Sequence, residues 1–312
     1  MCKRLLLLLL LLPVQILLTQ NAQAALHVTI IQGLGGIPLF DVSFNDQRHK
    51  IREASESMTD AELVSTFSGD DVSRENLLAH FATLAERMSE EDRAAIFLIG
   101  HGSYDGEQYK FNIPGLDISD ADLADIMDSL PGQNHFLVNT SSASGVILES
   151  LENDQHIIIT ATRNGNEKNA TEFGNFFAES LASDTADINK NNIVSIQEAF
   201  DFAERGVAEF FESQGKLATE HPQIRGNGAA SFSLSRLGGL ETFNEDPRIN
   251  TLLSQRLELD SDIEALQLRR NEYTNADYIQ RLQALILESA QVSEQIDALS
   301  ESSELEPEVD VD

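Results

Sequence analysis

Short, continuous apolar runs alternate with helically periodic stretches along the first part of the chain. The earliest clear run, His27-Val28-Thr29-Ile30-Ile31, is β-branched and ends in Gly33-Leu34-Gly35-Gly36, which reads as a strand entering a loop. Residues 73–88 set Leu77, Leu78, Phe81, Leu84 and Ala85 on one side of a helix, with Asp70, Asp71 or Ser73 available as its cap. Strand-like runs follow at 94–99, 135–138 and 156–160, and residues 118–130 form a helical pattern that Ser119 caps and Pro131-Gly132 ends. Strands that are apolar on every residue must be covered on both faces, which is the situation of a parallel sheet flanked by helices. The fold class predicted for residues 25–237 is therefore α/β, a three-layer α/β/α sandwich with a mostly parallel sheet.

The period then changes. Residues 238–249 carry breakers and charge and read as a linker. Over residues 250–300, Leu252, Leu259, Leu266 and Tyr273 recur every seven residues, as do Tyr278, Leu285, Val292 and Leu299. Ile263, Leu282 and Ile296 widen these stripes, and Thr274-Asn275 between them leaves room only for a tight turn. The pattern predicts an antiparallel helical hairpin, which either closes the sandwich's own core or serves as an arm for interaction with another protein. Residues 301–312 contain Glu301, Glu304, Glu306, Glu308, Asp310 and Asp312 without a base, and read as a solvated acidic tail.

Composition narrows the possible partners. The chain has 312 residues, 52 acidic and 21 basic, for a formal net charge of -31. A nucleic acid or an anionic membrane surface needs a basic face to displace counterions, so neither is an expected partner. Residues 1–24 form a separate unit: Lys3 and Arg4 precede the apolar run Leu5 to Leu12, and Ala22-Gln23-Ala24 supplies the small residues of a signal-peptidase site. Pro13 and Gln15 interrupt the apolar run short of the roughly 20 residues that a permanent span requires. The expectation is a periplasmic or secreted protein with no stable membrane span after cleavage. Cys2, the only cysteine, leaves with the signal, so no disulfide, thiolate metal site or thiol nucleophile remains.

Two apolar strands end in polar tips. One runs into Gly100-His101-Gly102, and the other into Asn139-Thr140-Ser141-Ser142-Ala143-Ser144-Gly145. Loops beyond the carboxyl ends of parallel strands form the binding crevice, so the two tips can face each other. A hydroxyl beside an imidazole is the minimum constellation for acyl transfer, and flanking glycines let N–H groups approach an oxyanion. A serine-rich turn without catalytic meaning has the same composition.

The segment AAIFLIGHG over residues 94–102, followed 41 residues after His101 by a serine within TSSASG, resembles the caspase-hemoglobinase fold and, within it, the legumain-like cysteine peptidases. The segments YKFNIPG and TATRNGNEKN are similar to those of bacterial secreted legumain-like proteins. The resemblance covers residues 25–237 and leaves the helical hairpin outside. It implies that His101 stands at the catalytic histidine and Gly102 at a glycine whose amide helps form the oxyanion hole. Ser142 falls on the nucleophilic cysteine, Ser141 on the alanine before it and Thr140 on a glutamate that lines the substrate site. Serine in place of cysteine is the main departure, because a thiol of pKa near 8.5 supplies thiolate at neutral pH whereas a hydroxyl needs a well-placed base with an orienting third group. The expected function is a noncatalytic pseudopeptidase that binds a peptide or protein ligand; the alternative is a peptide hydrolase using Ser142 with His101.

Three further readings stand beside this one. Asp105 could orient His101 or merely make a surface turn with Gly106. Arg163 could receive a substrate carboxylate, unless Glu167 neutralises it. Asp187, Asn189, Asn191, Ile193 through its carbonyl, Ser195 and Glu198 occupy positions 1, 3, 5, 7, 9 and 12 of an EF-hand-like loop over residues 187–198. The loop is expected to hold Ca2+ in a weak structural site or to be a metal-free turn. Asn192 replaces the usual glycine at position 6, where a left-handed backbone is needed.

Overall fold

The computed structural model describes residues 24–132, 134–237, 247–270 and 273–304. The expected signal segment and most of the linker and acidic tail therefore lie outside the described residues. In chain order the elements begin with β1 (Leu26–Gln32), α1 (Pro38–Glu56), β2 (Val64–Phe67), α2 (Arg74–Arg87) and β3 (Arg93–Ile99). A small meander follows, β4 (Gly102–Tyr104), β5 (Tyr109–Phe111) and β6 (Ile118–Ser119), then α3 (Asp120–Ser129), β7 (His135–Asn139), α4 (Ile147–Leu151) and β8 (His156–Thr160). The sandwich is completed by α5 (Phe173–Ser180), β9 (Ile193–Ser195), α6 (Ile196–Ser213), β10 (Gln223–Arg225) and β11 (Ser233–Arg236), and the chain continues into α7 (Pro247–Leu268) and α8 (Asn275–Glu304).

The central sheet has the order β10-β8-β7-β3-β1-β2, with every neighbouring pair from β2 to β8 parallel and β10 antiparallel at one edge. Strands β1, β7 and β8 are buried at each residue, and the side-chain period of two divides them between two cores. Val28, Ile30, Ala95, Phe97, Phe136, Val138, Ile157 and Ile159 join α1, α5 and α6 on one face. Ile31, Ala94, Ile96, Leu98, Leu137 and Ile158 join α2, α3 and α4 on the other. The α/β/α sandwich with a mostly parallel sheet is therefore the fold of this chain.

Local signals explain several boundaries. Ser73 caps α2 by accepting the Asn76 N–H at 3.2 Å, and Ser119 forms a reciprocal box with Asp122 at the start of α3. Periodicity had run helix α3 back to Ile118, but that residue and Ser119 pair with β5 instead. Helix α1 escapes the sequence reading because its periodicity is blurred, with Leu39 and Val42 exposed and Gln47 and Ser55 buried; Pro38 at its first turn is the available sign. The helices α7 and α8 pack as a hairpin. It meets the sandwich through Arg236 Nη1 to Asp260 Oδ2 at 3.3 Å and Arg256 Nη2 to the Asn191 carbonyl at 3.1 Å. Among the described residues no helix is long and apolar enough to cross a membrane.

His135 is an acid-sensitive point in this core. It is only 1% exposed, and its Nδ1 accepts the Ala94 N–H at 3.1 Å, which fixes the neutral ring with its proton on Nε2. That proton faces the Leu130 and Pro131 carbonyls without reaching hydrogen-bond geometry. Burial lowers the pKa from 6.5 to about 4, with the neighbouring His156 adding to the effect. Because the unfolded chain takes up the proton first, the stability associated with His135 is complete above pH 6.5 and is lost as the pH falls toward 4, by at most about 1.4 kcal/mol per pH unit. His135→Asn keeps an acceptor near the Ala94 N–H and removes the titration. Thermal melts should show the variant less stable at pH 8, with the gap to wild type narrowing by pH 5; a constant gap would exclude this assignment.

Candidate functional site

The parallel strands β3 and β7 deliver His101 and the serine turn to the same end of the sheet. Their approach is close: a Cβ at Gly102 would lie 2.4 Å from Ser141 Oγ and 2.5 Å from the Ser142 carbonyl oxygen, so any side chain there would force the tips apart. His101 is half-buried, edge-on to Phe40 at 4.6 Å and to Phe44 at 5.2 Å. Its Nε2 lies 3.2 Å from the Gly35 carbonyl. A carbonyl can only accept, so this bond places the proton on Nε2 and leaves Nδ1 as the basic nitrogen of the neutral ring.

The serine turn is held from beneath. Asn139 Nδ2 donates to the Tyr109 hydroxyl at 2.8 Å, Tyr109 lies 2.6 Å from Ser141 Oγ, and Ser141 donates to the Ser142 carbonyl at 3.2 Å. All donors in this chain point toward Ser142, an orientation in which successive bonds polarise one another. Burial holds the Tyr109 phenol well above its ordinary pKa, so it remains a neutral donor. Thr140 is turned back into the sheet: its N–H and hydroxyl both donate to the Leu98 carbonyl at 3.0 Å, and its own carbonyl accepts Thr171 Oγ1 at 2.5 Å. Ser142 is 4% exposed, and among the described residues neither its amide nor its hydroxyl has a hydrogen-bond partner. No hydrogen bond joins it to His101.

A second clasp fixes the turn from the β8 side. Ala143 adopts a left-handed φ of 57°, and its N–H donates to the Glu167 carbonyl at 2.8 Å. Gly145 donates to Thr162 Oγ1 at 3.0 Å; a Cβ at Gly145 would lie 2.2 Å from the Arg163 carbonyl carbon, so this contact requires glycine. The Glu167 carboxylate accepts the Arg163 N–H at 2.8 Å and His221 Nδ1 at 2.6 Å, with Arg163 Nη2 at 3.5 Å. The Arg163 guanidinium is thus at the cleft rim but faces Glu167. Asp105 is engaged in its own turn, accepting the Glu107 and Gln108 amides at 3.0 and 2.9 Å; these bonds and Lys110 lower its pKa to about 2. It supplies no partner to His101.

The EF-hand-like loop takes a matching backbone course. Asn192 has φ 61°, the left-handed conformation required at the glycine position. Asp187 accepts the Asn191 and Asn192 amides at 3.1 and 2.8 Å, and the Asn189 and Asn191 side chains accept the Asn191 and Ile193 amides at 3.0 and 2.9 Å. Ser195 caps α6 with Glu198 in a reciprocal box, and Glu198 also accepts the Ile188 amide at 3.1 Å. Among the described residues no cluster of three or more His, Cys, Asp or Glu side chains is arranged to hold a metal. Any cation in this loop would depend on two carboxylates plus amide, hydroxyl and main-chain oxygens.

Sequence reasoning missed Tyr109, Phe40, Phe44, His221 and Glu220 as parts of this region. Tyr109 lay within the YKFNIPG segment, and Phe40 and Phe44 had helical spacing behind Pro38; no signal in the sequence linked the last two to the cleft. Glu220 is 2% exposed and accepts the Glu172 and Phe173 amides at 2.8 and 3.3 Å, joining the segment before β10 to the start of α5.

No family model matches the chain, and no curated protein matches it. Among solved structures, protein GSU0716 from Geobacter sulfurreducens is similar with a TM-score of 0.45 and 10% identity, covering 68% of this chain and 98% of that one. Caspase-1 from Spodoptera frugiperda is similar with a TM-score of 0.40 and 14% identity, covering 70% of this chain and 88% of its own. These likenesses are too distant to carry an activity or a substrate to this chain.

Burial raises the pKa of Glu220 from 4.5 to about 7, against the opposing effect of the two amides it accepts. The folded state therefore retains a proton that the unfolded chain releases, and the stability this carboxyl contributes below pH 4.5 is lost as the pH rises toward 7. Glu220→Gln resembles the protonated form. Its stability relative to wild type should increase between pH 5 and pH 8 in thermal melts, by no more than a few kcal/mol. A difference that does not change with pH would contradict this account.

Proposed function

We propose that the cleft between the tips of β3 and β7 binds a peptide or protein ligand without cleaving it, on a scaffold of the caspase and legumain type. The observation that carries this reading is the partner of His101. Its ring is oriented by the neutral Gly35 carbonyl, and among the described residues no carboxylate hydrogen-bonds it; the Asp41 carboxylate packs against Gly35 and not against the ring nitrogens. A carbonyl selects the tautomer but brings no negative charge to stabilise the imidazolium that forms when a base takes a proton. A serine nucleophile depends on that stabilisation far more than a thiol does, since replacing the buried aspartate of a serine triad with its amide lowers kcat by about 10⁴. The unpartnered amide and hydroxyl of Ser142 then serve to hydrogen-bond a ligand carbonyl.

The same unpartnered pair favours the second reading, peptide hydrolysis by Ser142 with His101, because a free amide beside a nucleophile is what an oxyanion requires. Ser142→Cys tests whether His101 reaches this position, and the wild-type protein separates the two readings. In a chain lacking Cys2, a thiol that His101 activates should react with iodoacetamide at least about tenfold faster than a free cysteine, and His101→Ala should remove the advantage. Wild type should resist a serine-reactive fluorophosphonate and hydrolyse no member of a broad peptide library. Labelling of wild-type Ser142 that depends on His101 would replace the binding reading with the hydrolytic one.

We also propose that residues 187–198 bind Ca2+ weakly, as a structural ion. Support comes from the left-handed Asn192 and from the placement of Asp187 and Glu198 at the two ends of one loop. A site of Kd about 0.1 mM in about 1 mM calcium adds roughly 1.4 kcal/mol of stability. Glu198 also caps α6, so its replacement would destabilise the metal-free protein; Asn189→Ala is the cleaner probe. At constant ionic strength, calcium should raise the melting temperature of wild type and raise that of Asn189→Ala much less. Equal responses would mean that the ion only screens the acidic surface.

A further inference from the structure

A cavity of about 270 Å³ opens beside the His101 cleft, beyond the tip of β1. It lies on the β2 side of that tip, with Gly69 from the turn after β2 on one wall and Pro114 from the meander on another. The main chain of Gly33 to Gly36 forms the wall shared with the cleft, since the Gly35 carbonyl is the one that holds His101. Leu34 joins this wall to the meander, its N–H donating to the Asn112 carbonyl at 3.1 Å. Gly36 and Gly69 have left-handed φ values of 75° and 61°, and a Cβ at either would meet nothing within 4 Å, so the mouth is open. Among the described residues that line the cavity, Asp41 is the only charged one. Its carboxylate packs against Gly35, is exposed, and makes no hydrogen bond or ion pair with any described residue.

Resting on the reading of the cleft as a peptide site, we propose that this cavity takes a lysine or arginine side chain of the same ligand, with Asp41 receiving its charge. Leu34, Pro114 and the glycine α-carbons offer apolar surface to a methylene stem, and Asp41 offers a carboxylate to its head. The other unpartnered charges at the mouth agree in sign: Asp70 and Asp71 follow Gly69, are exposed, and have no side-chain partner among the described residues. The neighbouring bases are already engaged. Arg48, the first base after Asp41 on α1, is bonded behind the cavity wall to Gln32 Oε1 at 2.7 Å and to Asn45 Oδ1 at 2.9 Å. Arg74 is paired with Asp122 and Lys110 with Asp105, while Asp117 accepts the Asn112 side chain and the Ile113 N–H. Adjacent strands lie about 4.8 Å apart, so a cavity between the β1 and β2 tips stands about 12 Å from the Ser142 turn on β7. An extended chain advances about 3.3 Å per residue, which puts the basic residue about three or four positions from the one bonded to Ser142.

Two binding measurements on the full chain test this. By ligand NMR, N-acetyl-lysine methylamide should bind at least about threefold more tightly than N-acetyl-norleucine methylamide, and Asp41→Asn should erase the difference. In a positional-scanning library of acetylated octapeptides, pools with lysine or arginine fixed at one position should be favoured by a similar factor. Asp41→Lys should turn the preference at that position toward aspartate or glutamate. Asp41 is exposed, so both substitutions should leave the circular dichroism spectrum unchanged. Equal binding of the two amides, or a library preference that ignores Asp41, overturns the proposal and leaves the cleft reading intact. A basic preference at every position, lowered as much by Asp70→Asn with Asp71→Asn as by Asp41→Asn, also overturns it, and would reflect the net charge of -31. Binding of the lysine amide that depends on Asp41, with no octapeptide bound, would support the cavity and remove the cleft reading.

Discussion

Burial of the central sheet on both faces is the constraint from which the remaining architecture follows. With one strand surface packed against α1, α5 and α6 and the other against α2, α3 and α4, an uncompensated polar side chain on either surface costs stability. Polar chemistry is thereby displaced to the strand ends. Because β3 and β7 are parallel neighbours, the His101 loop and the Ser142 loop emerge at the same end of the sheet, and the absence of a side chain at Gly102 lets them touch. The geometry of the cleft is a product of the core.

That cleft is organised but electrostatically mild. Its histidine is oriented by a carbonyl and two phenyl rings, and its serine turn by a neutral phenol, an amide and a hydroxyl. Glu167, whose carbonyl holds the turn through Ala143, has its carboxylate engaged by Arg163 and His221. A site assembled from neutral dipoles suits hydrogen bonding to a ligand main chain better than transfer of a proton from a hydroxyl. Of the groups that burial moves within the acidic to neutral range, the most displaced belong to positions that hold structure together. His135, within β7, favours the folded state at higher pH, and Glu220, at the join to α5, favours it at lower pH. Their windows overlap, so the two effects oppose each other over mildly acidic pH and leave the total stability flatter there than either residue alone would.

The hairpin shows a different balance. Its polar contacts with the sandwich include Arg236–Asp260 and Arg256–Asn191, the second on the EF-hand-like loop. Arg270 over Tyr278 and Arg281 over Tyr273 close the turn end with cation–π contacts, which tie the start of α8 to the end of α7.

Periodicity and local chemistry determined a large share of this protein. Nearly continuous apolar runs at 94–99, 135–138 and 156–160 sufficed for a parallel sheet, because such strands must be covered on both faces; Ser73 and Ser119 marked helix starts through bonds to amides three residues away. Heptad spacing determined the paired helices for the same reason, that side chains one period apart share a face. The His101 and Ser142 tips were legible as candidates because each directly follows a recognisable strand. Whether they work together was not legible, since it depends on contacts between residues far apart in the chain: Gly35 with His101, Tyr109 with Ser141, and Glu167 with Ala143 and His221. No local periodicity encodes which carbonyl an imidazole will meet. Only the packed sheet, by bringing those distant loops to one end, decided that His101 would have a neutral partner and that Ser142 would be left with its amide and hydroxyl free.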